Sequence, residues 1–156
     1  MRRLGGLAAL LISVQVSPAG SAPTATQWDI VRTYAGIRCT WTGGDESQAV
    51  CSRSDRKGYG GAVARSYVSV FTVAPERVVF FRDQPLRSRG YGSLTYKRVF
   101  HSESHYGITC AWSRLSGGVA ICNRTDRHGY VLAVGRERVS VANERAQAVF
   151  VRNQPS

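Results

Sequence analysis

The chain has 156 residues, 43% of them hydrophobic, with four cysteines and a formal charge of +11. That length bounds it to one or two small domains. No apolar run reaches the roughly 20 residues of a membrane-spanning helix, and the cysteines lack the short spacings of zinc knuckles or C-x-x-C redox pairs.

Residues 1–22 read as a secretory signal. Arg2 and Arg3 precede the apolar run Leu4–Val16, and the small residues Pro18-Ala19-Gly20-Ser21-Ala22 follow. Cleavage is expected after Ala19 or Ser21. Removing residues 1–22 takes two arginines away and leaves 134 residues at +9. The expected compartment is extracellular or periplasmic, with no membrane span in the mature chain.

A first short strand is expected at Gln27–Val31. Next comes a stretch that occurs twice: residues 36–70 match residues 107–141 without a gap, and 17 of the 35 positions are identical. Identity at that level marks a duplicated structural unit. Strands are expected near 36–42, 48–54, 59–65, 67–73 and 78–83 in the first copy. In the second they fall near 107–113, 119–125, 130–136, 138–142 and 148–152. Clusters of small and polar residues at 43–47 and 114–118 signal hairpin loops.

Centring the first hairpin on Asp45 sets Cys39 opposite Cys51 and Trp41 opposite Ala49. Centring the second on Ser116 sets Cys110 opposite Cys122 and Trp112 opposite Ala120. Residues directly opposed on antiparallel strands are close enough for a disulfide. Four cysteines allow three connectivities, and the repeat selects Cys39–Cys51 and Cys110–Cys122. Alternation puts Ile37, Cys39, Trp41, Ala49 and Cys51 on a core face, with the equivalent residues in copy two. Arg53 and Arg124 fall at the end of that face, where they are expected to lay their stems over the core edge with their heads in water. Asp55–Tyr59 and Asp126–Tyr130 read as turns, with Asp capping the backbone and Gly tolerating positive φ.

Val78–Asp83 is apolar on both faces, as in a strand buried on both sides or lying under another module. Residues 87–93 form a polar, Gly-rich linker, and Leu94–Phe100 is expected to open the second copy with a strand. The organisation is therefore a signal (1–22), a β repeat (27–86), a linker (87–93) and a second β repeat (94–156). The fold class is all-β: two tandem repeats of a small disulfide-linked antiparallel module, sandwich- or barrel-like. Modules of this size are marginal alone, so the two copies are expected to associate, in pseudo-twofold fashion or side by side.

A duplicated site should appear as repeated polar residues. The arginines Arg53, Arg56, Arg65 and Arg82 recur as Arg124, Arg127, Arg136 and Arg152, and Tyr59 and Gln84 recur as Tyr130 and Gln154. With +9 on the mature chain, these point to a basic face that binds an anionic partner, such as a cell-envelope polymer or an acidic protein. The plainer alternative is charge that only keeps the protein soluble. Nucleic acid has thinner support, for there is no recognition helix. A second reading has hairpin loops 43–47 and 114–118 inserting into a protein target, as an inhibitor does. A third is a basic ribonuclease-like hydrolase using His101, His105 and His128 with Glu103 and Glu144. No nucleophile–base–orienter set is visible and a solvated loop accounts for residues 101–105, so the expectation is no catalytic activity, no cofactor and no metal.

Overall fold

The computed structural model describes residues 29–85 and 98–156. The proposed signal and the 87–93 linker lie outside the described residues.

Among the described residues, twelve strands form two six-stranded antiparallel sheets, each a meander in sequence order. The first contains β1 (Ile30–Tyr34), β2 (Ile37–Thr42), β3 (Gln48–Arg53), β4 (Tyr59–Ala64), β5 (Tyr67–Val73) and β6 (Glu76–Asp83). The second contains β7 (Val99–His105), β8 (Ile108–Ser113), β9 (Val119–Arg124), β10 (Val131–Gly135), β11 (Arg138–Ala142) and β12 (Ala148–Asn153). The strands inside the repeat fall where the alternation puts them. The two leading strands run further than expected, β1 to Tyr34 and β7 to His105, and residues 27–28 and 94–97 lie outside the described residues. Both strands end in two-residue turns, Ala35-Gly36 and Tyr106-Gly107, with φ values of 49° and 73°, then 52° and 76°. Two successive positive φ angles match the right-handed twist of hairpin strands, which explains a glycine at the head of each copy.

The expected register is the observed one. Cys39 pairs with Cys51 and Trp41 with Ala49, and Cys110 pairs with Cys122 and Trp112 with Ala120. Both disulfides are formed within their own sheet, one in each half, and no described cysteine is free. Two such bonds are consistent with an oxidising environment.

The sheets face each other across one core. Ile37, Cys39, Trp41, Ala49 and Cys51 are fully buried, as are their counterparts Ile108, Cys110, Trp112, Ala120 and Cys122. Residues 71 apart meet each other, which defines a pseudo-twofold axis. Cys51 Sγ lies 3.3 Å from Cys122 Sγ, and the Trp41 and Trp112 rings are 5.9 Å apart. Each indole N–H donates across the axis, Trp41 to the Ile108 carbonyl at 3.1 Å and Trp112 to the Ile37 carbonyl at 3.2 Å. A buried indole N–H needs such a partner, so each tryptophan ties its own sheet to the other. Gly61 faces Leu132 at the same kind of position, and a Cβ on Gly61 would lie 2.5 Å from Leu132 Cδ1.

Val78–Asp83 is not buried on both sides. It lies in β6, an edge strand, where Val78 is 65% and Phe81 54% exposed. Only Phe80 turns inward, stacking on Phe150 of β12 at 4.7 Å. An apolar run on both faces fits an edge strand as well as a central one, and the meander order decides which it is.

Candidate functional site

The repeated arginines separate into structural and accessible groups. Arg53 ends β3 on the core face, opposite Ile37. Its guanidinium grips Asp55 with two bonds, Nε to Oδ1 at 2.9 Å and Nη2 to Oδ2 at 2.8 Å. Its Nη1 donates to the Arg136 carbonyl of the other sheet at 2.8 Å. The expectation of a head in water is corrected: Arg53 is 7% and Arg124 5% exposed. A buried cation is tolerable because a carboxylate takes it bidentately. Asp55 therefore serves Arg53 as a counter-ion and is more than a turn cap.

Two further guanidiniums reach Asp55, Arg136 Nη2 at 3.3 Å and Arg56 Nε at 3.7 Å. Three cations around one carboxylate leave a local surplus of two positive charges. The side chains of Arg56 and Arg136 are 49% and 44% exposed, against 3% for Arg53. Hydrogen bonds and charge from Arg53, with charge from Arg136, hold the Asp55 carboxyl well below its usual range, against an opposing desolvation.

Copy two repeats half of this arrangement. Arg124 grips Asp126 through Nε at 2.7 Å and through Nη2, and Arg127 Nη2 stands 3.5 Å away. Asp126 is likewise shifted down, first by the Arg124 hydrogen bond. Arg124 Nη1, however, is buried and has no hydrogen-bond partner among the described residues. Arg65, equivalent to Arg136, is exposed in the β4–β5 turn, and no ion pair joins it to Asp126 among the described residues. Arg82 and Arg152 lie exposed on edge strands β6 and β12. The Arg82 guanidinium sits 5.8 Å from the Phe80 ring centre and 5.9 Å from that of Tyr130, and Arg152 sits 5.7 Å from Phe150.

Gln84 and Gln154 are clamps between the sheets. Gln84 Oε1 accepts from the Tyr130 N–H at 2.9 Å, and Gln154 Oε1 accepts from the Tyr59 N–H at 2.8 Å. Gln154 Nε2 also donates to the Tyr59 and Gly135 carbonyls, both at 3.0 Å. A Cβ at Gly58 or Gly129 would come within 2.5 Å of the clamping Oε1. The repeated glycine of the Asp-Arg-x-Gly-Tyr segment is thus explained by close approach, and neither residue has the positive φ expected of it.

Residues 101–105 are strand β7, and no solvated loop accounts for them. His101, Glu103 and His105 alternate onto one face. Both imidazole Nε2 atoms lie on Glu103, His101 at 2.8 Å from Oε1 and His105 at 3.0 Å from Oε2. Arg32 Nε donates to Oε1 at 2.8 Å, and Arg32 and Glu103 are themselves equivalent positions meeting on the axis. Tyr34 packs against His101 with 4.1 Å between ring centres, and Trp41 lies edge-on to His105 at 5.2 Å. The hydrogen bonds from His105, then His101, outweigh desolvation and lower Glu103 from 4.5 to about 2. Glu144 belongs to the β11–β12 hairpin, at the opposite edge of the sheet from β7. No repeated residue marks Arg32 in the sequence, and Tyr34 stands out there only as the position equivalent to His105. The alternation of 101, 103 and 105 with serines was the available signal.

Both hairpin loops lean on the other module. Ser47 Oγ donates to the Tyr106 carbonyl at 3.3 Å, and the equivalent Gly118 packs against Ala35, whose carbonyl a Cβ there would meet at 2.3 Å. Residues 44–46 and 114–117 remain exposed. The four cysteine sulfurs lie within 4.8 Å of one another, and both pairs are bonded as disulfides, which leaves no thiolate to hold a metal. Among the described residues no helix is long and apolar enough to cross a membrane. No family model matches the chain, and no curated protein or solved structure does either.

Proposed function

We propose that this is an exported, non-enzymatic protein that binds an anionic partner, a cell-envelope polymer or an acidic protein, through exposed arginines. The observation that carries this reading is the cluster at Asp55, where Arg56 and Arg136 stand half exposed around a carboxylate already neutralised by Arg53. A surplus of fixed positive charge draws anions. Arg53 and Arg124 are withdrawn from the contact set because their guanidiniums are buried. Arg56, Arg65, Arg82, Arg136 and Arg152 remain exposed, and Arg127 remains as a partly covered member with 21% of its side chain open.

The test is a binding titration of the oxidised protein against a wall-type polyphosphate, a heparin-like polysaccharide and duplex nucleic acid at low and physiological salt. One polymer retained at physiological salt and lost in Arg56→Glu/Arg136→Glu supports the reading. Weak binding to every polyanion that vanishes as salt rises is generic counterion release and defeats it.

A further inference from the structure

The outer faces of the two sheets use equivalent positions and are finished differently. On the first sheet, Tyr67 of β5 donates its hydroxyl to Gln48 Oε1 of β3 at 3.2 Å. Strand β4 lies between them, with Ala64 paired to Gln48, so the ring must lie across β4. The residues beneath are sealed: Ala62, Ala64 and Ser69 are 4%, 0% and 7% exposed. Phe81 of β6 stacks on the ring at 5.0 Å.

On the second sheet the equivalents of Tyr67, Gln48 and Phe81 are Arg138, Val119 and Val151. All three replacements remove the ring, its support or its hydrogen-bond partner. Ala133 and Ser140, the mates of Ala62 and Ser69, are half open. A hollow of about 390 Å³ lies there, walled by Val119, Ile121, Ala133 and Leu115, with Ser140 in it and Arg138 on its rim. Arg138 takes part in no ion pair among the described residues.

The geometry points to this hollow as a binding site for an aromatic ring that carries a carboxylate. The chain's own tyrosine ring fills the equivalent place on the first sheet, which sets the size and shape of the occupant. The acceptor that satisfies the Tyr67 hydroxyl is replaced by Val119, so an unsubstituted phenyl ring fits better than a phenol, whose O–H would lose a partner. Arg138 supplies a planar donor pair for the carboxylate. Glu137 on the same rim disfavours a second negative charge. The ligand class is an arylalkanoate, free or as the C-terminal phenylalanine of a peptide.

The experiment titrates the isotope-labelled, oxidised protein with 3-phenylpropionate and with the peptide Gly-Gly-Phe, following the amide signals of Ile121, Ala133 and Ser140. Hexanoate, 3-phenylpropionamide and 3-(4-hydroxyphenyl)propionate serve as comparisons. Saturable shifts at those amides are expected with one or both carboxylates, and which of the two binds identifies the source. The amide should bind about fivefold more weakly, the size of an exposed ion pair, and hexanoate more weakly still. Arg138→Gln should bring the carboxylate down to the level of the amide. The triple variant Arg138→Tyr/Val119→Gln/Val151→Phe rebuilds the cover of the first sheet and should abolish binding while melting no lower than the parent. Absence of saturable shifts, equal binding of hexanoate, or undiminished binding by the triple variant overturns the proposal. Should the triple variant not fold, Ala133→Phe, which fills the hollow from its floor, must abolish binding in its place.

Discussion

Cys51 and Cys122 meet across the axis as identical residues, whereas Tyr67 and Arg138, equivalent positions on the outer faces, have no chemistry in common. Other contacts between the sheets follow the first pattern, with Arg32 against Glu103 and Gly61 against Leu132 as exceptions. The tryptophan ties and the glutamine clamps occur in both directions. The arginine clusters at the rim are only partly copied, since Arg53 Nη1 has a carbonyl to bond and Arg124 Nη1 has none among the described residues. Packing between the sheets constrains both copies at once, because each residue there is part of its counterpart's surroundings. Residues facing water answer to no such partner.

Four measurements sharpen or break that contrast. Trp41→Ala and Trp112→Ala should each cost about 3–5 kcal/mol in denaturant unfolding, and nearly the same amount as each other. A large inequality would mean that the core is not shared evenly. Next comes the size pair. Leu132→Ala should cost about 2–5 kcal/mol by leaving a cavity, and Gly61→Ala about 1–3 kcal/mol by overpacking. Combined, the second change partly fills the space left by the first, so a double-mutant cycle should show strong coupling. Additivity would place the two residues out of contact.

The arginines test the imperfect part of the symmetry. Arg53→Met takes the donor from the Arg136 carbonyl and leaves Asp55 to Arg136 and Arg56, while Arg124→Met leaves Asp126 to Arg127 and removes an unsatisfied donor. Arg53→Met should therefore be the more costly by about 1 kcal/mol, and the reverse order would contradict the described contacts. The smallest effect is the acid response. Glu103, facing His101, His105 and Arg32, binds its proton more weakly in the folded state than at its ordinary 4.5. Its contribution is present above about pH 4.5 and fades as pH falls toward about 2. Asp55 and Asp126 are shifted in the same direction. Glu103→Gln should lower the Tm at neutral pH and flatten its decline in acid. An unchanged acid slope would show that the histidine bridge contributes nothing.

Much of this was legible in the sequence, and for local reasons. The period of two and the hairpin loops fix the Cys39–Cys51 and Trp41–Ala49 register, and the duplication selects the disulfide pairing. What escaped was set by contacts between the sheets. Nothing near Arg53 in the chain says that the Arg136 carbonyl closes over it. Gln84 and Gln154 looked like candidates for a duplicated site because their backbone partners are 46 and 95 residues away. The run His101–His105 hides its strand because its inward residues are polar, so its alternation carries no hydrophobic signal. Val78–Asp83 hides its exposure for the opposite reason, with too many apolar residues to show a face.

Arg32 with Glu103, and Gly61 with Leu132, sit where a residue meets its own equivalent. In a symmetric dimer of single modules such a position faces an identical copy of itself: a charge confronts a like charge, and a large side chain meets another as large. Attraction and fit at these points are then forbidden by symmetry. Carrying both modules on one polypeptide lifts that prohibition. Each position on the axis can mutate alone, a cation can acquire an anion, and a bulky residue can acquire a gap. The tandem chain thus holds an interface that no self-associating half could make.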